Sequence, residues 1–264
     1  INAPISSIPA PIELPTKAAG DSTFGHLFRT GKAYLSFFKS GMMAILTNFK
    51  ATRGLQELVD KHEGGLQHLV QHGLITRAQY QHLLRARHDI VRVPLFGLIF
   101  IVFGETSPFI LPFIPNTVPY PCRVPQQLNR QRRKAAEARE AAFRALTVEE
   151  AAALRKGLDQ LSSQELAHVA TVLRVNWFLR KWRLKRHVEY LDHDSALLLR
   201  GGGVDGIASG EELTMAAEDR GISTYGKKEE EIRDTLRDWE RVVKALGGVR
   251  PGAWLVRPES WRSA

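Results

Sequence analysis

From Val93 to Pro115 the chain carries a single charge, Glu105, within a run of Leu, Ile, Val and Phe. A helix needs about 20 apolar residues to cross the hydrocarbon core of a bilayer, so this stretch is long enough to span one. Pro94, Gly104, Pro108, Pro112 and Pro115 interrupt it. They would kink a helix or end it early, unless neighbours satisfy the carbonyls that proline leaves free. The segment therefore reads as a span, a buried hairpin, or a stretch that dips into one leaflet. Arg85, Arg87 and Arg92 stand just before it, which favours holding that flank on the matrix or cytosolic side.

The rest of the chain has helical periodicity and no alternating strand pattern, so the fold class is all-α. Residues 1–22 hold Pro4, Pro9, Pro11 and Pro15 and read as an extended leader or a wrapped arm. From Ser22 the residues Phe24, Leu27, Phe28, Tyr34, Phe37, Phe38, Met42, Ile45, Leu46 and Phe49 recur at helical spacing, with Lys32, Lys39, Lys50 and Arg53 among them. This pattern fits a core helix or an interfacial one. Gly64-Gly65 breaks the run, and Thr76 with Gln79 is spaced as a capping box for a helix from Arg77. Pro125 suits a helix start, and capping boxes are expected at Thr147/Glu150, Ser162/Glu165 and Ser209/Glu212. Gly201-Gly202-Gly203 is a break, and a last helix over 227–246 buries Ile232, Leu236, Trp239 and Val243. The organisation expected is a leader over 1–22, amphipathic helices over 23–92, a membrane segment over 93–120, and a basic helical domain over 123–264.

With 37 basic and 28 acidic side chains, the chain has a formal charge of +9. The excess concentrates at 123–200, with 16 cations against 9 acids. Such a charge suggests an anionic partner without naming one. Cys122 is the only cysteine, which excludes an internal disulfide and a thiolate metal cage. His62-Glu63 lacks its second zinc ligand, since Leu66 stands there, and His68/His72 has no evident third ligand. Asp192-His193-Asp194 fails as a calcium loop because Ala196 and Leu197 occupy its next positions. No phosphate loop or nucleophile motif is present, so neither an enzyme nor a cofactor is expected.

Two basic runs remain. Arg174 to His187 contains Arg174, Arg180, Lys181, Arg183, Lys185 and Arg186, with no acid. Trp177, Phe178 and Trp182 are interleaved with them. On a helix, the aromatics would anchor one face in the core while the cations reach phosphate, a pattern suited to RNA. The second run, Arg130, Arg132, Arg133 and Lys134, reads more simply as a solvated helix face.

Taken in order, these residues resemble the LETM family, the leucine zipper–EF-hand transmembrane proteins, over about residues 24–246. The resemblance rests on Phe38-Lys39-Ser40-Gly41, Leu74-Ile75-Thr76-Arg77, Asp89-Ile90-Val91-Arg92-Val93-Pro94, Pro115-Asn116 with Pro119, and Phe178-Leu179-Arg180. It is to a shortened member without EF-hands, and Arg174 stands where that family usually has glycine. The resemblance implies a mitochondrial inner-membrane protein whose matrix-facing helical bundle, likened in shape to a 14-3-3 protein, binds the mitochondrial ribosome and supports insertion of newly made proteins. One alternative, which that family has also been proposed to be, is a potassium–proton exchanger with Glu105 as its intramembrane carboxylate; another is a permanent subunit of a larger mitochondrial assembly. The partners expected are ribosomal RNA or protein, inner-membrane lipid and other assembly subunits.

Overall fold

The computed structural model describes residues 1–16, 22–103 and 117–263. Among these, all regular structure is helical: α1 (Thr23–Ala51), α2 (Arg53–Lys61), α3 (Gly65–Gln71), α4 (Arg77–Phe103), α5 (Pro125–Ala145), α6 (Glu150–Leu154), α7 (Ser163–Val172), α8 (Arg180–Arg200), α9 (Glu211–Asp219) and α10 (Glu229–Leu246), with short 3-10 turns between. Two compact units result, interleaved along the chain. One comprises Ala3–Gly65 and Ala78–Asn129; the other comprises Ile1–Asn2, Leu66–Arg77 and Arg130–Ala264.

The first, N-terminal unit is built around α1, which Ser22 caps by accepting from the Gly25 N–H at 3.0 Å. Its core joins Phe37, Phe38 and Ile45 to Phe96 and Ile99 of α4, with Val118, Cys122 and Val124. Gly41 allows the close approach of the 120–122 turn, because a Cβ there would lie 2.6 Å from the Cys122 sulfur. The proline-rich arm is pinned. Ser6 Oγ donates to Asn48 Oδ1 at 2.7 Å, and the buried Arg85 donates to Ser7 Oγ at 3.3 Å. Arg87 likewise donates to Gln56, and Arg92 to the His88 carbonyl. The three arginines before the apolar stretch are therefore bonded within the protein rather than forming an open cationic flank.

That apolar stretch does not begin a new helix. Val93 to Phe103 continue α4 through Pro94, behind a half that carries Arg77, Arg85, Arg87, Asp89 and Arg92. Among the described residues, no helix is long and apolar enough to cross a membrane. The span expected at 93–115 is thus not found in its described part, where about 16 Å of apolar helix follows a charged one. Glu105 and the rest of that segment lie outside the described residues.

The C-terminal unit packs α7 to α10 and the closing 3-10 turns around Leu184, Leu191, Leu213, Leu236, Trp239, Trp254 and Trp261. The 18 residues of α10 bury Ile232, Leu236, Trp239 and Val243, the stripe expected from their spacing. Ser162 and Glu165 form the expected reciprocal cap, at 3.2 and 2.8 Å. The boxes at Thr147/Glu150 and Ser209/Glu212 fail: Glu149 precedes α6 and Gly210 precedes α9, neither with a side-chain cap. Ser209 instead hydrogen-bonds Glu229, whose carboxyl is held below its ordinary range by that bond. At Gly252 the chain passes so close to α6 that a Cβ would overlap the Ala153 carbonyl.

A charged cluster organises this core. Asp194, in the middle of α8, accepts from Arg77 at 2.8 Å and from Arg220 at 2.7 Å, all three fully or almost fully buried. Glu212 lies 3.7 Å from Arg77, and Arg200 donates to the carbonyls of Val70 and Gln71. These bonds explain why residues 66–77 belong to this unit. Breaking a buried pair by removing one partner costs about 3–5 kcal/mol, because the other charge stays buried.

Candidate functional site

Helix α7 ends in a two-bond turn: the Arg174 N–H reaches the Thr171 carbonyl at 3.1 Å, and the Val175 N–H reaches that of Ala170 at 2.8 Å. This is the Schellman arrangement, whose left-handed position favours glycine. In the same unit, Gly73, Gly221 and Gly247 occupy that position with φ of 67°, 75° and 67° and the same pair of bonds. At 174 an arginine takes φ 56°. A residue with a Cβ pays about 1 kcal/mol there.

Leu179, at φ 53°, is the second non-glycine residue in the left-handed region among those described. It precedes α8 and supplies no side-chain cap. The first turn of α8 holds no acid, and Arg180, Lys181 and Arg183 sit at the positive end of the helix dipole, where cations are disfavoured. Strained backbone, an uncapped helix start and unfavourable charge thus converge within ten residues. Local rules broken together mark a functional surface more often than a structural one.

The aromatics correct the expectation most clearly. Trp177, Phe178, Leu179 and Trp182 are 75%, 55%, 57% and 52% exposed, so they are not core anchors. Only from Arg180 onward is the stretch helical, and the buried Leu184, with Leu191 and Leu198, fixes which face of α8 turns inward. Trp182, two residues before Leu184, lies about 200° away around the helix and must point outward. Trp177 and Phe178 meet edge to face at 6.1 Å, and the Arg186 guanidinium lies over the Trp182 ring at 4.9 Å.

The exposed cations surround these rings. Arg174, Lys181, Arg183, Lys185 and Arg186 are exposed, and Arg180 is half-buried. Lys181 meets Asp159 at 2.8 Å; that contact, with Lys185 nearby, holds the Asp159 carboxyl below its usual range. Asp159 also lines an open cleft of about 630 Å³, with Arg155 and Arg250 on its walls.

The second basic run divides. Arg130, Arg133 and Lys134 are exposed. Arg132 is not, being held by Glu211 at 2.5 Å and Glu218 at 2.6 Å, a contact with residues about eighty positions away that no local pattern reveals. Arg139, also unforeseen, is buried among the carbonyls of Val172, Ile222 and Glu218, and its burial lowers its pKa to about 10. Among the described residues no cluster of metal-ligating side chains occurs, and His68 and His72 simply stack at 4.0 Å.

In the N-terminal unit large apolar side chains are exposed as well. Phe24, Leu27, Phe28, Leu35 and Met43 of α1, and Val91, Leu95, Leu98, Ile101 and Val102 of α4, lie open to solvent. Cys122 is buried in the same unit, and burial pushes its thiol up to about 12, far from a reactive thiolate.

Comparison with known proteins gives two family matches. Residues 154–247 match the LETM1-like ribosome-binding domain, and residues 66–187 match the pentamidine resistance factor domain. Their overlap, 154–187, contains the whole cationic stretch. No curated protein and no solved structure matches the chain, so the expected likeness to a 14-3-3 protein has no fold match behind it.

Proposed function

We propose, from the premise that this is a LETM-like chain carrying a LETM1-like ribosome-binding domain, that it binds the mitochondrial ribosome on the matrix side of the inner membrane and supports insertion of mitochondrially made proteins. One observation carries the reading beyond the family match. The acid-free run with the most cations has five of its six exposed, and it lies within both matched regions. The exposed apolar faces of α1 and α4, with Arg29, Lys32 and Lys39 among them, suit the membrane interface, where basic heads reach lipid phosphates. Arg174, Arg180, Lys181, Arg183, Lys185 and Arg186 make the ribosomal contact, and Arg130, Arg133 and Lys134 add long-range charge.

The test is sedimentation of the full chain with mitochondrial ribosomes across a salt series. Reversing Lys181, Lys185 and Arg186 to Glu should leave the melting temperature within a few degrees. It should lower the slope of log affinity against log salt by about 2, as expected for three lost contacts to unpaired RNA phosphates. Lys185→Glu alone should weaken sedimentation measurably, and the charge-matched control Lys244→Glu, at an exposed residue of α10 paired with Glu240, should do far less. Equal losses from both would reduce the effect to net charge and remove the patch.

A further inference from the structure

Charge alone does not account for Trp177, Phe178 and Trp182. Phosphate contacts need no aromatic ring, and a large apolar side chain left half or more in water is costly. We infer that this surface stacks the unpaired bases of single-stranded or looped RNA, so that the ribosomal contact is an exposed RNA loop rather than a duplex or a protein face. This inference rests on the ribosome-binding reading and deepens it.

Three features favour bases over other occupants. Trp177 and Phe178 meet edge to face at 82° rather than packed flat together, and their exposure leaves outer ring surface available for stacking. Arg186 lies over Trp182, and guanidinium planes and aromatic rings are the two platforms on which splayed bases stack. No acid lies between 174 and 187; Asp159 engages Lys181 from outside the run, and the remaining cations suit a phosphate backbone. In a duplex, the bases are already stacked on one another and offer these rings nothing.

The full chain would be titrated with a fluorescently labelled 12-nucleotide single-stranded RNA, with the same strand in a blunt duplex, and with vesicles of phosphatidylcholine containing phosphatidylglycerol. Wild type should bind the single strand at least tenfold more tightly than the duplex. Trp177→Ala with Trp182→Ala should lose about tenfold per ring for the single strand, with unchanged duplex affinity and melting temperature. Trp177→Phe with Trp182→Phe should restore most of it. Because the other three tryptophans are buried, quenching of indole fluorescence by the RNA should vanish in the alanine pair. Three results would overturn the inference: single-strand binding indifferent to the rings, equal affinity for duplex, or ring-dependent binding to the vesicles instead. If the alanine pair still sediments with ribosomes as wild type does, base stacking fails while the ribosome reading stands. If wild type itself does not sediment with them, the reading beneath it fails too.

Discussion

The five tryptophans all lie in the C-terminal unit, and they divide into two groups with opposite surroundings. Trp239, Trp254 and Trp261 are buried, Trp239 stacking on Trp254 at 5.2 Å and meeting Trp261 edge to face at 5.1 Å. The indole N–H of Trp254 donates to the Arg220 carbonyl, and that of Trp261 to the Ala253 carbonyl. Trp177 and Trp182 stand in water among cations. The cations divide the same way. Arg77 and Arg220 are buried against Asp194, whereas the cations at 181–186 face outward. Residue type does not assign the role. What separates the groups is whether acids and carbonyls are supplied from elsewhere in the chain, as Asp194 and Glu212 are for Arg77.

Truncation should separate the two groups most sharply. Trp239→Ala should cost about 3–5 kcal/mol, read as a fall in the denaturant midpoint at constant slope. Trp177→Ala should stay within about 0.5 kcal/mol of wild type, as an exposed substitution does. A large loss at Trp177 would show that its exposure is not maintained in solution. The paired charges should follow. Asp194→Asn leaves Arg77 and Arg220 buried without their shared anion, at a cost of about 3 kcal/mol, whereas Lys185→Glu should barely move stability.

The backbone supplies a smaller test with the opposite sign. Arg174→Gly removes the strain at φ 56° and should stabilise the unit by about 1 kcal/mol. The same change should weaken ribosome sedimentation at moderate salt by removing one phosphate contact. Gain of stability with no loss of binding would leave Arg174 outside the interface.

What the sequence made legible was local. The Ser162/Glu165 cap, the proline start of α5, the Gly201–Gly203 break and the α10 stripe each depend on residues within a turn or two. The pairing of Arg77 with Asp194 spans 117 positions, and that of Arg132 with Glu211 spans 79, so a basic residue destined for the core looks like one destined for solvent. The direction of Trp182 was readable in principle from the Leu184, Leu191 and Leu198 stripe. The interleaved aromatics resemble a buried stripe by their own spacing, which does not carry that register. Arg174 was marked only by the resemblance, which puts glycine there, and the left-handed turn at φ 56° gives the reason.

The last expected effect concerns pH and sharpens the buried side of the comparison. His168 is buried, its Nε2 lies 3.0 Å from the Trp254 carbonyl, and Phe143 meets its ring edge to face at 4.9 Å. Burial lowers its pKa below the ordinary 6.5, outweighing the hydrogen bond to Trp254. A histidine depressed in the folded state contributes stability above its unfolded pKa. It loses that stability as pH falls, because the unfolded chain then takes up a proton that the folded chain refuses. The C-terminal unit should therefore weaken from about pH 6.5 downward, by at most about 1.4 kcal/mol per pH unit from this group. Asp219 acts with the opposite sign, since burial raises its pKa, but it is common to both proteins in a comparison with His168→Gln. Glutamine can keep a donor to the Trp254 carbonyl and cannot titrate. Denaturant titrations from pH 7 to 5, followed by the blue-shifted emission of the buried tryptophans, should show a shallower acid slope in His168→Gln. An identical slope in both would mean that His168 accepts its proton in the folded state, and that the Trp254 contact is made by the imidazolium.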